Sequence, residues 1–384
     1  MKLKLWIPQK LRQTNSQSRL PGLLARWLCL LGLVLSSGCD TLGYYGQAIN
    51  GQVRILAGRQ DIERLLSAPT TDPTLKQRLS EVQAIRRFAA DQLHLPLASQ
   101  YSTYVALERP YVVWNVFAAP EFSLEPLSWC YPVAGCVSYR GYFSEQAAQE
   151  YAAGLRKRGL EVHVGGVAAY STLGWFSDPV LSSILNRPSH QLATLLFHEL
   201  AHQVAYFPGD TEFNESFATA VEQEGLQRWL QASVSDTAER EALALAVQQD
   251  GMRQQQFVAL VQTAVADLAR LYAEPFPAAE MRLAKQQRLS QLQAEYAVLK
   301  QQQWQGYSGY DAWFGGDLNN ARLGTVATYD NLVPAFNALL AQQGRDLPAF
   351  YAAVKELAAF EPEARRDFLQ RASQTGAVRA TGTR

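Results

Sequence analysis

The chain has 384 residues, 48% of them hydrophobic, with 35 basic and 35 acidic side chains. This is a globular composition, long enough for one large domain or two small ones. The formal charge of zero removes the electrostatic argument for a nucleic-acid partner.

Residues 1–26 carry Lys2, Lys4, Lys10, Arg12, Arg19 and Arg26 and no acid. The apolar run Trp27–Leu35 follows, and then Ser36-Ser37-Gly38-Cys39. A basic segment, a short apolar core and small residues before a cleavage point make a secretory signal, too short for a stable membrane span. Its end resembles a bacterial lipoprotein lipobox, although Ser36 stands where that pattern usually has Leu. The resemblance implies that residues 1–38 leave as a signal peptide and that the sulfur of Cys39 is acylated. Acyl chains there would tether the protein to a membrane. The expected location is the bacterial cell envelope, on the periplasmic side, and Asp40 suggests the inner membrane. Cys29 departs with the signal. The remaining pair, Cys130 and Cys136, is expected to close a small loop as a disulfide in an exported protein.

Residues 41–68 and 74–94 read as two helices from the recurrence of Leu65, Leu66, Leu75, Leu79, Val82, Ile85 and Phe88. Between 100 and 143, Tyr101, Tyr104, Val105, Val112, Val113, Trp114, Val116 and Phe117 suggest short strands. Ser144 opens a helix that runs to about Arg158, and Gly159 stops it. Leu160–Tyr170 is a further strand. Residues 160–176 are the candidate edge that pairs with a peptide substrate, with an ordinary core strand as the alternative. A helix starts near Ser189 and ends near Phe207, where Pro208-Gly209 breaks it. Asp210 or Thr211 can cap the next, Glu212 to about Leu230. Residues 233–303, rich in Ala, Gln, Leu and Glu, form a long helical hairpin broken at Glu274-Pro275-Phe276-Pro277. An aromatic, Gly- and Asn-rich loop follows over Tyr307–Ala321. Helices resume at 330–343, 346–358 and 362–373, and residues 376–384 read as a disordered tail. The fold class is α+β, mostly helical, with a small β-sheet. It is one domain over 39–375, with 233–303 as an inserted hairpin.

The chemistry concentrates at His198-Glu199-Leu200-Ala201-His202. On a helix, residues four apart lie on one face, so His198 and His202 can point two imidazoles at one metal ion. Glu199, one step round, can take a proton from water at that metal. This is the pattern of a zinc peptidase. Leu192, Ala193, Leu195, Leu196, Phe197, Leu200, Ala201, Val204 and Ala205 make the helix apolar nearly all round, hence buried. Buried imidazoles need something to satisfy them: a metal, or hydrogen bonds between core side chains. The chain has five histidines, and His94, His163 and His190 stand singly. A catalytic zinc needs a third protein ligand. Of the acids in reach (Asp210, Glu212, Glu215, Glu222 and Glu224), Glu215 sits on the first turn of the following helix, between Phe213 and Phe217. Glu222, two turns on, is the backup ligand or an outer partner for a histidine.

The stretches Trp129–Phe143, Gly165–Asp178, His198–Gln203 with Asn214–Ala218, and Asn319–Ala321 resemble a family of bacterial lipoproteins described as predicted aminopeptidases. The likeness covers about residues 40–375. It implies a zincin-like metallopeptidase core of the Glu-zincin type with one Zn²⁺ per chain. His198, His202 and Glu215 would be the ligands and Glu199 the base. The interval from His202 to Glu215 is 215 − 202 = 13 residues, shorter than in thermolysin-like or aminopeptidase-N-like enzymes. No GxMEN-type motif is present. The expected function is hydrolysis of envelope peptides, with aminopeptidase activity first. An endopeptidase of envelope proteins and a non-catalytic zinc-binding scaffold are the alternatives. Tyr170, Tyr206, Tyr310 and Tyr329 are candidate oxyanion donors. Asn319 and Asn320 are candidates for holding a substrate backbone.

Overall fold

A computed structural model describes residues 43–131, 135–169, 177–326, 332–369 and 371. The chain divides into two compact units, residues 1–52 and 53–384. In the first, residues 43–52 are helical. The second opens with helical residues 53–57 and holds everything that follows.

The single helix expected over 41–68 is interrupted. Gln60–Asp61 (β1) is extended, and Asp61 restarts the helix as Ile62–Ser67 (α1) by accepting from Arg64 N–H. A carboxylate that satisfies an orphan N–H favours a new helix start over continuation. Asp72 does the same for Pro73–Asp91 (α2), with Pro at the first position. The strands that follow are Thr103–Val105 (β2), Val113–Pro120 (β3), Trp129–Tyr131 (β4), Gly135–Val137 (β5) and Arg140–Tyr142 (β6). Ser144 caps Glu145–Lys157 (α3), and Gly159, at φ 81°, releases the chain into Leu160–Val167 (β7).

The sheets are small. β3 lies between β6 and β7, antiparallel to both, and pairs with β7 from Val113↔Val167 to Pro120↔Leu160. Burial alternates along most of β3, the sign of one packed face, and α3 packs on β3 and β7. Among the described residues β7 is an edge strand; 170–176 of the candidate substrate strand lie outside them. A second sheet runs β1-β2 and then Val180–Leu181 (β8), which is parallel to β2.

Ser182–Leu185 (α4) leads to Ser189–Ala201 (α5), which carries the two histidines, and Thr211–Ser233 (α6) packs against it. α5 ends at Ala201, not at the expected Phe207. Gln203 N–H and Val204 N–H bond back to Leu200 and Ala201 carbonyls, three residues behind, and this tightened turn ends the α ladder. The hairpin is Thr237–Tyr272 (α7) with Ala278–Gln302 (α8). Asp311–Phe314 (α9), Asn320–Leu323 (α10), Val333–Gln342 (α11) and Leu347–Glu356 (α12) follow, and residues 362–369 are helical. The main core joins Leu79, Val82 and Ile85 of α2, Leu192, Leu196 and Phe197 of α5, Phe213 and Phe217 of α6, Phe336 of α11 and Phe350 of α12. A second core under the hairpin gathers Phe257, Val261, Leu292, Tyr296, Trp304 and Phe314. Gly225 sets the closeness of α6 to its neighbours: a Cβ there would stand 2.7 Å from Leu93 Cδ1 and 2.8 Å from Phe197 Cδ2. Among the described residues no helix is long and apolar enough to cross a membrane.

Candidate metal centre

Two helices and a turn build the site. His198 lies in the last turn of α5, and His202 is its C-cap at φ −60° and ψ −21°. That cap residue keeps helical backbone, so the four-residue spacing still stacks the imidazoles although the ladder ends before it. The rings lie 4.9 Å apart, nearly perpendicular. α6 then has to return at one angle. Asp210 caps its first turn, and Asn214, 1% exposed, clamps the turn behind it. Phe207 N–H donates to Asn214 Oδ1 and Asn214 Nδ2 donates to Phe207 O, both at 2.8 Å.

This delivers Glu215 to both histidines. Its Oε2 is 3.2 Å from His198 Nε2 and its Oε1 is 3.8 Å from His202 Nε2. The ligand atoms of His198, His202 and Glu215 all lie within 4.8 Å of one another. Glu222, two turns along α6, accepts at 2.9 Å from His198 Nδ1. Among the described residues, the buried His202 Nδ1 has no hydrogen-bond partner.

Burial alone would lower the His198 pKa, but the hydrogen bonds to Glu215 and Glu222 outweigh it and push it up to about 10. Glu215 is held below the usual carboxylate range: burial opposes this, and the His198 hydrogen bond and the charges of His202 and His198 outweigh it. Burial, with the positive charge of His198, pushes His202 down to about 4. Burial also drives Glu199 up to about 7, resisted by His198 and helped by Glu215, Asp178 and Glu222. Two nitrogens and a carboxylate oxygen converge where His198 Nε2 and Glu215 Oε2 stand 3.2 Å apart. A divalent cation between them would take all three as ligands, with His198 Nδ1 still held by Glu222. The donor set fits a zinc ion.

The other expected residues divide. Tyr206 is at the site, its ring 6.1 Å from that of His202. Burial, and then the charge of Glu215, raise its pKa, so its hydroxyl keeps its proton. Tyr310 is not brought there; it stacks on Phe257 in the hairpin core at 4.4 Å and donates to Gln254. Asn319 and Asn320 hold the fold instead of facing the histidines. Asn319 caps α10 and donates to Asp317 and Val162 O. Asn320 Nδ2 reaches the carbonyls of Pro120, Glu121 and Ser123, and its Oδ1 accepts from Tyr272 at 2.8 Å. Tyr170, Tyr329 and Cys39 lie outside the described residues. Cys130 and Cys136 are joined, opposite each other across β4 and β5.

Two residues near Glu199 had no marker in the sequence. Asp178 is 3% exposed and Tyr101 is 6% exposed, and the charges of Glu199 and Asp178 both bear on Tyr101. Tyr101 reads as one more aromatic in a β-rich stretch; its special feature is a φ of 56°.

No curated protein and no solved structure matches the chain. Residues 43–369 match the model of a family described as "Putative aminopeptidase", and with that much of its length matched the chain belongs to this family.

Proposed function

We propose that the protein is a zinc-dependent peptidase, an aminopeptidase in the first instance, built on a zincin-like core. The observation that supports this best is the convergence of His198, His202 and Glu215 within 4.8 Å, with Glu199 alongside on the same helix. Bound zinc supplies a Lewis acid for the scissile carbonyl and lowers the pKa of water. The chain's own residues do the rest. Glu199, near neutrality in its affinity for protons, takes the proton of the attacking water and delivers it to the leaving amine. Tyr206 donates a hydrogen bond to the carbonyl oxygen as it gains charge. Glu222 fixes the ring of His198 through Nδ1. The reading places the enzyme in the cell envelope, tethered through acylated Cys39, with envelope peptides as substrates.

The test is metal analysis beside peptide hydrolysis. The purified protein should carry one zinc per chain. Glu199→Gln should keep the zinc and lower kcat by about 10²–10⁴-fold, the usual contribution of a general base. His202→Ala should lose the metal. Full activity in the Glu199→Gln variant, or undiminished zinc in His202→Ala, would remove this reading.

A further inference from the structure

The hairpin of α7 and α8 has two unlike faces. Phe257, Val261, Ala264 and Leu268 of α7, with Leu292 and Tyr296 of α8, point into the second core. The opposite side has no part in the metal centre. On α7, Leu245, Met252 and Ala259 recur every seven residues, with Gln249, Gln256 and Thr263 beside them. Such spacing puts all six on one helix face. From 245 to 263 that face is about 27 Å long, and none of the six is charged. A solvated helix face of this length ordinarily carries charged side chains.

Two features of this face are complementary. A groove of about 570 Å³ runs between α7 and α8, floored by Ala259, Leu260, Ala294 and Val298 and rimmed by glutamines. The two alanines of its floor let another helix come close. Of the residues lining it only Glu295 is charged, and Arg288 at 3.3 Å and Gln291 at 2.8 Å hold it. Next to the groove stands a ridge. Leu245 and Met252 are 55% and 47% exposed, and Val298 in the groove is 52% exposed. Met252 precedes Ala259 by one heptad, so the ridge continues the line of the groove about 10 Å along the same helix.

A ridge and a groove side by side on one helix point to the occupant. In a two-fold pairing, a residue that meets a second residue of the partner copy is matched by the reverse contact. Two hairpins packed antiparallel, with the axis near Gln255, place Met252 of each copy against Ala259 and Val298 of the other. Leu245 follows two turns further along. An amide both donates and accepts, so a glutamine rim can pair with itself, whereas a charged rim would meet its own sign. Two helices about 9 Å apart over this length give the copies on the order of 1,000 Å² of contact, the threshold of a specific interface.

We propose that the outer face of the hairpin joins two copies of this chain, antiparallel about a two-fold axis. The contact is independent of the metal and of the reaction.

Sedimentation equilibrium of the purified protein from about 1 to 100 μM tests it, a range that spans the affinity of a contact of this size. A monomer–dimer equilibrium is expected. Met252→Lys and Val298→Glu each bury a charge in the contact, and each should weaken the dimer by about tenfold or more. Both positions are exposed in the single chain, so urea unfolding of the dilute variants should match the wild type. Mixed in equal amounts, the two variants should dimerise again, because the ammonium introduced in one meets the carboxylate introduced in the other. A protein that stays monomeric over the whole range overturns the proposal, whatever else docks on the hairpin. So does a dimer that neither substitution weakens, or a mixture no more associated than its separate components.

Discussion

His198 and His202 share a helix and a motif but not an environment. His198 is gripped at both nitrogens, by Glu215 at 3.2 Å and Glu222 at 2.9 Å, while the buried His202 Nδ1 has no partner among the described residues. A ring whose far nitrogen is held by a carboxylate is fixed in tautomer and direction and is a stronger ligand. The metal site therefore depends on Glu222 through its grip on His198. Glu222→Ala should weaken zinc binding by about 10–100-fold, and Glu222→Gln, which keeps an acceptor oxygen, should lose less. Competition with a chromophoric chelator measures both, and wild-type affinity in Glu222→Ala would contradict the role. Much of this was legible in the sequence because it is local. Helical geometry alone puts residues four apart, and then seven apart, on one face. The meeting of Tyr101 with Asp178 was not legible, since the backbone bond from Tyr101 N–H to Asp178 O and the φ of 56° exist only in the folded chain.

At the scale of elements, the site depends on the turn between α5 and α6. Asn214 replaces the missing helix ladder there by satisfying both backbone groups of Phe207. Asn214→Ala would leave those half-buried groups without their side-chain partner, at a cost of about 1–3 kcal/mol in urea unfolding. Zinc affinity should fall with it, because Glu215 is the next residue; a variant as stable as wild type would show the clamp to be dispensable. The sheet carries a different sensitivity. His163 on β7 stacks on Phe117, and burial, with the charges of Arg322 and Arg156, lowers its pKa to about 4. The unfolded chain takes up this proton near pH 6.5 and the folded one does not until about 4. Stability from this group is therefore present above pH 6.5 and is lost as pH falls towards 4, by up to about 3 kcal/mol. His163→Gln should flatten that part of the acid unfolding profile, and an unchanged profile would exclude His163 as its source. Element positions were readable wherever a cap or breaker marks them, as Ser144 and Gly159 mark α3. They were missed where hydrogen bonding overrides hydrophobic periodicity, as at Asp61, where a cap restarts the helix, and at Val204, where three-residue bonds end it.

For the whole molecule, the two ends of the compact unit differ in what they support. The hairpin and α10 are tied to the β3–β7 sheet by Lys285, which reaches Glu161 and the Glu121 carbonyl, and by Asn320. That accounts for Asn319 and Asn320 being structural ties: the asparagine-rich loop joins two parts of the fold. The C-terminal helical residues return instead to the metal centre. Arg365, 6% exposed, pairs with Asp210 at 2.8 Å, and its guanidinium carbon lies 4.6 Å from the centre of the Phe207 ring and 5.6 Å from that of Phe213. It thus locks the cap of α6 and both aromatic walls of the turn that carries Glu215. The adjacent Arg366 pairs with Glu212, but its side chain is 52% exposed. Breaking one partner of a buried pair leaves the other charge uncompensated, whereas an exposed pair is worth little. Arg365→Met should destabilise the protein by about 3 kcal/mol or more and weaken zinc binding in parallel. Arg366→Ala should cost about 1 kcal/mol or less and leave zinc binding unchanged. Urea unfolding with and without a chelator reads both quantities on the same samples. Equal costs for the two substitutions, or a destabilised Arg365→Met that binds zinc as the wild type does, would separate the C-terminal helix from the function of the site.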